Sequence, residues 1–373
     1  MAKKIHIALV GGQSMPVFLS IRETSPDEII LIHSVNSQRS VQHIESCFPN
    51  KCHQKELDPV DYETITTAVR ELLETYRQDE ITINLSGGTK PWALSFALQA
   101  QGMNNVSLLY IDQNGVCYDY THHKKWTSHD LDMRSLMQFN GQWPETHTSL
   151  KDYTDADMNV LHQVKTFRRY NYKDFNLLTI PDKSWKKTLN NQQKGSHETQ
   201  NGSYIKWDKT ANCVSLSMQE RWGYKNRTFE SPHVFQIVFN SGWFEYEIAQ
   251  MVSKWKYAKE VWLNVVYPYN NKLPKNEIDI VVSTGYKLLM IECKTQIFDN
   301  TDIDKFHTAV KNYGGMGCKA LFITEARMTS QAKEKCADSD IMPFSLQEHQ
   351  DRATPQEVLF LQLNKELFNI NTK

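Results

Sequence analysis

The hydrophobic pattern of the first 120 residues alternates between strands and helices. Short apolar runs such as KIHIALV, EIILIHSV, ITINLS, SLLYID and VCYDY are separated by segments with helical spacing. In the clearest helical segment, VDYETITTAVRELLETYR, the apolar residues Ile65, Val69 and Leu72 fall on one face. Strands that alternate with helices are typical of a parallel sheet. The sequence therefore predicts a Rossmann-like α/β domain over residues 1–140.

The pattern weakens over residues 141–230 and returns over residues 231–373. The middle part contains LNNQQKGSHETQNGS, which has almost no apolar side chain to bury, so we expect a small connecting module with a flexible loop. After it, the pattern predicts a strand, a helix, two strands, a helix, the strand CKALFIT, a helix and a short strand, IMPFS. This order predicts a second α/β domain.

Composition limits the classes of function. The 42 basic and 43 acidic residues almost cancel, so any contact with nucleic acid has to be local. No apolar run is long enough to span a bilayer and no leader pattern is visible, so we expect a cytoplasmic protein. The seven cysteines form no CxxC pair, which favours reduced thiols over disulfides or a structural zinc site.

Two glycine-containing loops follow predicted strands of the first domain. One is GGQS, at residues 11–14, and the other is SGGTK, at residues 86–90, which leads into a helix. Glycines let the backbone approach a ligand closely, and the free amides of a helix N-terminus favour an anion. The Walker A spacing is absent, so ATP hydrolysis is not implied. Both loops lie at the carboxyl edge of a parallel sheet, which favours a nucleotide-like ligand over a plain structural turn.

The second loop resembles the ligand loop of CARF domains, the CRISPR-associated Rossmann-fold sensors of cyclic oligoadenylates. The resemblance is carried by the segment in which a strand leads through NLSGGTKPW into a helix. The resemblance implies two sets of messenger contacts: Asn84, Ser86, Gly87, Gly88, Thr89 and Lys90 in one, and Gly11, Gly12, Gln13 and Ser14 in the other. It also implies a homodimer, because a cyclic ligand with two-fold character suits an interface between identical surfaces.

Acidic residues and a lysine cluster in the second domain. NEIDIVVSTGYKLLMIECKTQ divides into two strands around a turn at residues 283–285. Since alternate residues of a strand share a face, Glu277 lies beside Asp279, and Glu292 lies beside Lys294. Converging carboxylates at an apolar sheet end are costly unless a hard cation such as Mg²⁺ or Mn²⁺ binds them. A solvated pair on a surface strand is the simpler alternative, but the apolar run before Glu292 argues against it.

These residues can hydrolyse a phosphodiester. We expect Asp279 and Glu292 to bind the metal, with the carbonyl of Cys293 as a third oxygen ligand. Lys294 would orient a metal-bound water and stabilise negative charge in the transition state. Upstream, SGWFEYEIAQMVSKW predicts an amphipathic helix in which Glu245 is placed to reach the metal.

The same residues resemble the PD-(D/E)XK nuclease superfamily, with Glu245 in GWFE, Asp279 in NEIDIVV, and Glu292 and Lys294 in IECK. Ile278 stands where the usual pattern has proline. Together, the two halves resemble the CARF-fused restriction-like nucleases of type III CRISPR systems. This implies a nuclease activated by cyclic tetra-adenylate that uses Mn²⁺ or Mg²⁺ to cleave single-stranded DNA and RNA.

Two other functions remain open from the sequence. One is a ligand-independent, Mrr-like restriction endonuclease on duplex DNA, in which the first domain only dimerises. The other is a non-catalytic nucleotide sensor that holds DNA through the basic, aromatic segment at residues 165–187.

Overall fold

The protein is described here from a computed structural model. The structure describes residues 2–112, 114–140, 143–180, 182–221, 223–269, 271–273, 275–296, 300–315, 317–349 and 354–370. Within these residues the strands form three sheets, of seven, four and six strands. None of the described helices is long and apolar enough to cross a membrane.

The first sheet has strand order β3-β2-β1-β4-β5-β6-β7. Its strands are β1 (Lys4–Leu9), β2 (Glu28–His33), β3 (Cys52–Glu56), β4 (Glu80–Asn84), β5 (Val106–Ile111), β6 (Val116–Asp119) and β7 (Lys124–Thr127). The helices among them are α1 (Met15–Thr24), α2 (Gln38–Cys47), α3 (Tyr62–Thr75) and α4 (Lys90–Gln99). Strands β1 to β5 pair in parallel, while β6 and β7 are antiparallel additions. The predicted Rossmann-like sheet is confirmed.

Helix α3 shows how the sequence sets these elements. Asp61 accepts a hydrogen bond from the backbone amide of Thr64 at 2.8 Å and so caps the first turn. Ile65, Val69 and Leu72 are buried against the sheet, as their spacing predicts. Strand β3, CHQKE, was not predicted because its side chains are mostly polar and partly exposed at the sheet edge.

The middle of the chain contains helices and a four-stranded antiparallel sheet of order β12-β11-β10-β9. Its elements are α5 (Met133–Phe139), β8 (Thr146–Ser149), α6 (Asp155–Phe167), α7 (Tyr172–Thr179), α8 (Lys183–Asn191), β9 (Lys194–Glu198), β10 (Tyr204–Asp208), β11 (Cys213–Glu220) and β12 (Gly223–Glu230). The expectation of a flexible loop at LNNQQKGSHETQNGS is wrong, because that stretch contains the end of α8 and edge strand β9. Backbone pairing with β10 orders β9 although it has little apolar surface to bury.

The third sheet has strand order β17-β16-β15-β14-β13-β8. The remaining elements are α9 (Val234–Val238), α10 (Gly242–Ser253), β13 (Glu260–Val266), β14 (Glu277–Ser283), β15 (Leu288–Lys294), α11 (Thr301–Tyr313), β16 (Lys319–Thr324), α12 (Ser330–Asp338), β17 (Ile341–Ser345) and α13 (Pro355–Phe368). The strand predicted after residue 231 is instead α9, because a short apolar run does not distinguish a strand from a buried helix. Strand β13 and helix α13 were not predicted.

The turn between β14 and β15 packs against the segment that follows the first sheet. The hydroxyl of Tyr286 donates a hydrogen bond to the carbonyl of Ser128 at 2.6 Å. The amide of Leu131 donates to the carbonyl of Gly285 at 2.9 Å. One apolar cluster also joins Phe18 of α1 to residues of β14 and β15. The first and third sheets are therefore in direct contact through this hairpin.

Candidate functional site

The two glycine-containing loops lie against each other at the carboxyl ends of the neighbouring strands β1 and β4. A Cβ atom at Gly11 would lie 2.9 Å from the amide nitrogen of Gly88. A Cβ atom at Gly87 would lie 2.2 Å from the carbonyl oxygen of Leu9, and this distance is too short for two non-bonded atoms. Gly88 has φ +70°, a conformation that favours glycine. The glycines are therefore required for the loops to meet.

Three of the side chains predicted to contact the messenger already have protein partners. Asn84 is fully buried, and its amide nitrogen donates to the hydroxyl of Ser20 at 2.5 Å. The hydroxyl of Ser86 accepts from the amide of Ile111 at 2.6 Å. The hydroxyl of Thr89 donates to the carbonyl of Pro59 at 2.8 Å. These side chains hold the loop in shape through contacts with other parts of the protein.

The exposed members of the two loops are Gly12, Gln13 and Lys90. Lys90 stands in the first turn of α4, where the helix dipole and the unpaired amides also favour an anion. Ser14 is buried, and its hydroxyl has no hydrogen-bond partner among the described residues. The loops thus form a cationic, backbone-rich surface that suits a phosphate.

The acidic cluster lies where β14 and β15 separate. The backbone pairing of the two strands extends from Ser283 with Leu288 as far as Ile280 with Ile291. Beyond that point the carboxylate of Asp279 accepts a hydrogen bond from the amide of Cys293 at 2.8 Å. A side chain thus takes the place of the next backbone acceptor and is fixed against the opposite strand.

The structure brings Asp279, Glu292 and Lys294 together. Asp279 is 7% exposed and Glu292 only 2%. The ammonium of Lys294 lies 2.6 Å from Oε1 of Glu292 and 3.4 Å from the carbonyl oxygen of Cys293. Glu277, in contrast, is exposed at the start of β14.

Sequence reasoning missed Lys275. Its ammonium lies 2.5 Å from Oε2 of Glu292 and 3.5 Å from Oδ1 of Asp279, so it bridges the two predicted metal ligands. The sequence offered a signal, because Lys275 lies only four residues before Asp279, but Lys275 precedes the predicted strand and alternation was not extended to it.

Burial and charge shift the pKa values of the cluster. Burial raises the pKa of Glu292, as does repulsion from Asp279, while the two lysines oppose the shift. Burial and then repulsion from Asp279 raise the pKa of Glu245 well above its usual range. Burial alone would lower the pKa of Lys294, but Asp279 and Glu292 outweigh it and raise that pKa. Lys294 is therefore a cation at neutral pH and Glu245 binds a proton more readily than an exposed glutamate.

The thiol of Cys293 points into the apolar cluster that also contains Ile291. Burial, followed by the negative charge of Asp279, raises the pKa of this thiol well above its usual range. The thiol therefore stays protonated, and the backbone carbonyl is the group that Cys293 offers to the site.

The donor atoms fit a hard divalent cation. Two carboxylates and a backbone carbonyl are the oxygen ligands that Mg²⁺ and Mn²⁺ prefer. The ammonium of Lys275 between Asp279 and Glu292 shows that this carboxylate pair accepts a positive charge. Within the described residues no three His, Cys, Asp or Glu side chains form a metal site by themselves, so the carbonyl of Cys293 and water would have to complete the set.

Two residues of the basic middle segment connect α6 to the third sheet and its helices. Arg168 donates from both terminal nitrogens to Glu325, at 2.9 and 3.1 Å, and stacks 4.1 Å from the ring centre of Trp243. Lys165 pairs with Glu247. Trp243 and Glu247 belong to the helix that carries Glu245, so these contacts position that helix.

Comparison with known proteins identifies the first domain. Residues 5–136 match the family model described as the Card1 CARF domain. The first sheet lies almost entirely within this matched segment, which we refer to as the CARF domain. No curated protein matches the chain. The messenger loops predicted at residues 11–14 and 84–90 lie within the matched CARF segment.

Solved structures extend the similarity beyond the CARF domain. Can2 from Sulfobacillus thermosulfidooxidans, solved in complex with cyclic tetra-adenylate, is 18% identical over 98% of this chain and 99% of its own, with a TM-score of 0.61. VC1899 from Vibrio cholerae is 17% identical over 97% and 98%, with a TM-score of 0.68. A type III CRISPR defence DNA nuclease activated by cyclic oligoadenylate is 16% identical over 98% of this chain but 52% of its own, with a TM-score of 0.54. At these identities the likeness shows the fold, and it confirms the predicted α/β class, in which an N-terminal parallel, Rossmann-like sheet is followed by further mixed sheets.

The loop geometry predicts different outcomes for one glycine in each of the two loops. Gly87→Ala should destabilise the CARF domain by roughly 1–3 kcal/mol, because the added methyl group meets the carbonyl of Leu9. Gly12→Ala should leave stability unchanged, because among the described residues its Cβ position meets no atom within 4 Å beyond its chain neighbours. Urea unfolding of both variants measures the difference. Equal stability of Gly87→Ala and the wild type would contradict this loop structure.

Proposed function

We propose that the protein is a metal-dependent endonuclease switched on by a cyclic oligoadenylate, with cyclic tetra-adenylate as the first candidate messenger and single-stranded DNA and RNA as the first candidate substrates. The observation that carries the proposal is the β14–β15 hairpin, whose two ends make different contacts. At one end Asp279, Glu292 and Lys294 converge. At the other end its turn contacts the segment that follows the CARF sheet.

Asp279, Glu292 and the carbonyl of Cys293 would hold Mn²⁺ or Mg²⁺. When bound, the metal would supply an activated water and neutralise charge on the phosphate. Lys294, whose ammonium lies beside Glu292, would donate hydrogen bonds to the phosphodiester oxygens and stabilise their negative charge. Burial and then repulsion from Asp279 raise the pKa of Glu245, which would tune the charge around the metal.

The messenger would bind at the exposed surface of Gly12, Gln13 and Lys90. Two findings support this: the match to the CARF model and the complex of Can2 with cyclic tetra-adenylate. The second loop leads into α4, and the first leads into α1, which packs on the hairpin side of the sheet. A ligand can shift the nuclease only if it binds the active arrangement better than the idle one.

A homodimer would complete the messenger site. Helix α4 begins at the messenger loop and exposes two leucines on its surface, Leu94 at 63% and Leu98 at 68%. Leucines four residues apart form one apolar stripe, which a second copy of α4 would cover. A two-fold axis beside these helices would place both copies of Lys90 near one cyclic ligand.

The proposal predicts that Lys294→Ala and Glu292→Ala lose cleavage by about a hundredfold or more, because charge stabilisation or a metal ligand is removed. Binding of cyclic tetra-adenylate should stay within about twofold of the wild type, since the two sites are in different domains. The measurement uses labelled single-stranded DNA, single-stranded RNA and supercoiled plasmid in Mn²⁺, with and without the messenger. Lys254→Ala, an exposed lysine of the same domain, is the matched control.

Each outcome of this assay separates the proposal from its alternatives. Cleavage that needs both the messenger and Lys294 supports the proposal, and the substrate that is cut identifies the target. Cleavage of duplex DNA without messenger would instead support a restriction endonuclease. Messenger binding with no cleavage of any substrate would support a regulator without catalysis.

The dimer proposal predicts that Leu98→Asp weakens self-association by about tenfold or more, because a charge is placed inside the apolar contact. Leu361→Asp, a matched control on α13 where the leucine is 50% exposed, should leave the oligomeric state unchanged. Light scattering after size exclusion measures both variants. A wild-type monomer, or an unchanged Leu98→Asp dimer, would contradict the dimer surface.

A further inference from the structure

We propose that Lys275 is an internal cation that competes with the divalent metal for Asp279 and Glu292, and thereby sets the metal concentration at which the nuclease works. This inference rests on the proposed function, because it takes the two carboxylates as metal ligands. Lys275 would then be a positioning residue that acts through Asp279 and Glu292.

Each carboxylate oxygen of Glu292 is bonded by a different lysine. Lys294 bonds Oε1 at 2.6 Å, while Lys275 bonds Oε2 at 2.5 Å. The side of Oε2 is also the side on which Lys275 faces Oδ1 of Asp279. Oxygens of both metal ligands meet there, so that is the position a metal would share with Lys275. Lys294 bonds the other oxygen of Glu292, so it can remain when a metal binds.

Charge makes occupancy by Lys275 and by the metal mutually exclusive. An ammonium and a divalent ion on the same carboxylate oxygens would lie at contact distance, where like charges repel strongly in a buried site. Asp279 and Glu292 need only one of them to be balanced.

The ammonium of Lys275 can also move away from the two carboxylates. The pairing of β14 with its neighbour β13 begins at Glu277, opposite Val266, so Lys275 stands outside the ladder. Its flexible side chain can move its ammonium away without breaking a strand pair. Lys294, in contrast, pairs within the ladder of β15 and β16.

A metal can bind only those molecules in which Lys275 is displaced. The apparent dissociation constant of the metal therefore equals the intrinsic constant divided by the fraction of such molecules. If that fraction is about 1–10%, as is common for minor states, removing the ammonium tightens metal binding about ten- to a hundredfold. Lys294→Met should produce a much smaller change, because Lys294 contacts the other oxygen of Glu292.

The test is calorimetric titration of Mn²⁺ into Lys275→Met, Lys294→Met, the exposed control Lys254→Met and the wild type, in the absence of nucleic acid. We expect tighter binding in Lys275→Met alone, and the same shift in the more polar variant Lys275→Gln. If the loss of the ammonium destabilises the fold, the rise in melting temperature on adding Mn²⁺ should be larger for Lys275→Met than for the wild type.

Three results would overturn the inference. Equal or weaker Mn²⁺ binding by Lys275→Met would show that Lys275 does not compete. Equal tightening by Lys294→Met would indicate a general effect of removing positive charge instead of competition for one position. Absence of Mn²⁺ binding by every protein would contradict the proposed metal centre itself and so the proposed function.

Discussion

Two buried carboxylates that face each other must be balanced by positive charge. Asp279 and Glu292 are 7% and 2% exposed, and like charges about 4 Å apart repel by about 4 kcal/mol even at an effective dielectric constant of 20. Lys275 and Lys294 provide that balance in the structure. Burial, followed by repulsion from Asp279, raises the pKa of Glu245 near the same carboxylates. The need for a cation explains why this site is suited to a metal.

The location of the cluster on the hairpin connects it to the rest of the molecule. Strands β14 and β15 are paired from their turn to Ile280 and Ile291, and the acidic residues follow directly. The turn is fixed to the CARF side by Tyr286 and Gly285. Four to five strand residues span roughly 15 Å, so under the proposed gating the hydrogen-bonded ladder would carry a displacement of the turn to the cluster.

The sequence predicts the charged residues of the site better than their partners. Glu292 and Lys294 stand in IECK, and strand alternation is enough to place them together. Lys275 lies before the predicted strand, and its bridging position depends on how that segment folds back toward Glu292. Asn84 was expected to face the messenger, but its amide turns inward to Ser20, a contact that depends on the packing of α1.

The elements of the fold were likewise predicted only in part from the sequence. The parallel CARF strands are short apolar runs between helices, so periodicity finds them. Edge strands β3 and β9 are polar and are ordered by backbone pairing with β2 and β10, which no local pattern records. Helix α9 was mistaken for a strand. The amide of His233 at its start donates to Asp157, a residue distant in sequence that helps to fix this segment.

The most direct test of messenger gating is thermodynamic reciprocity. If cyclic tetra-adenylate favours the arrangement that binds metal and substrate, then metal and substrate must increase the affinity for cyclic tetra-adenylate by the same factor. The measurement is the affinity of Lys294→Ala protein for this messenger, with and without Mn²⁺ and single-stranded DNA. We predict tighter binding when both are present, by about five- to a hundredfold. An affinity unchanged by Mn²⁺ and DNA would contradict coupling between the two ends of the hairpin.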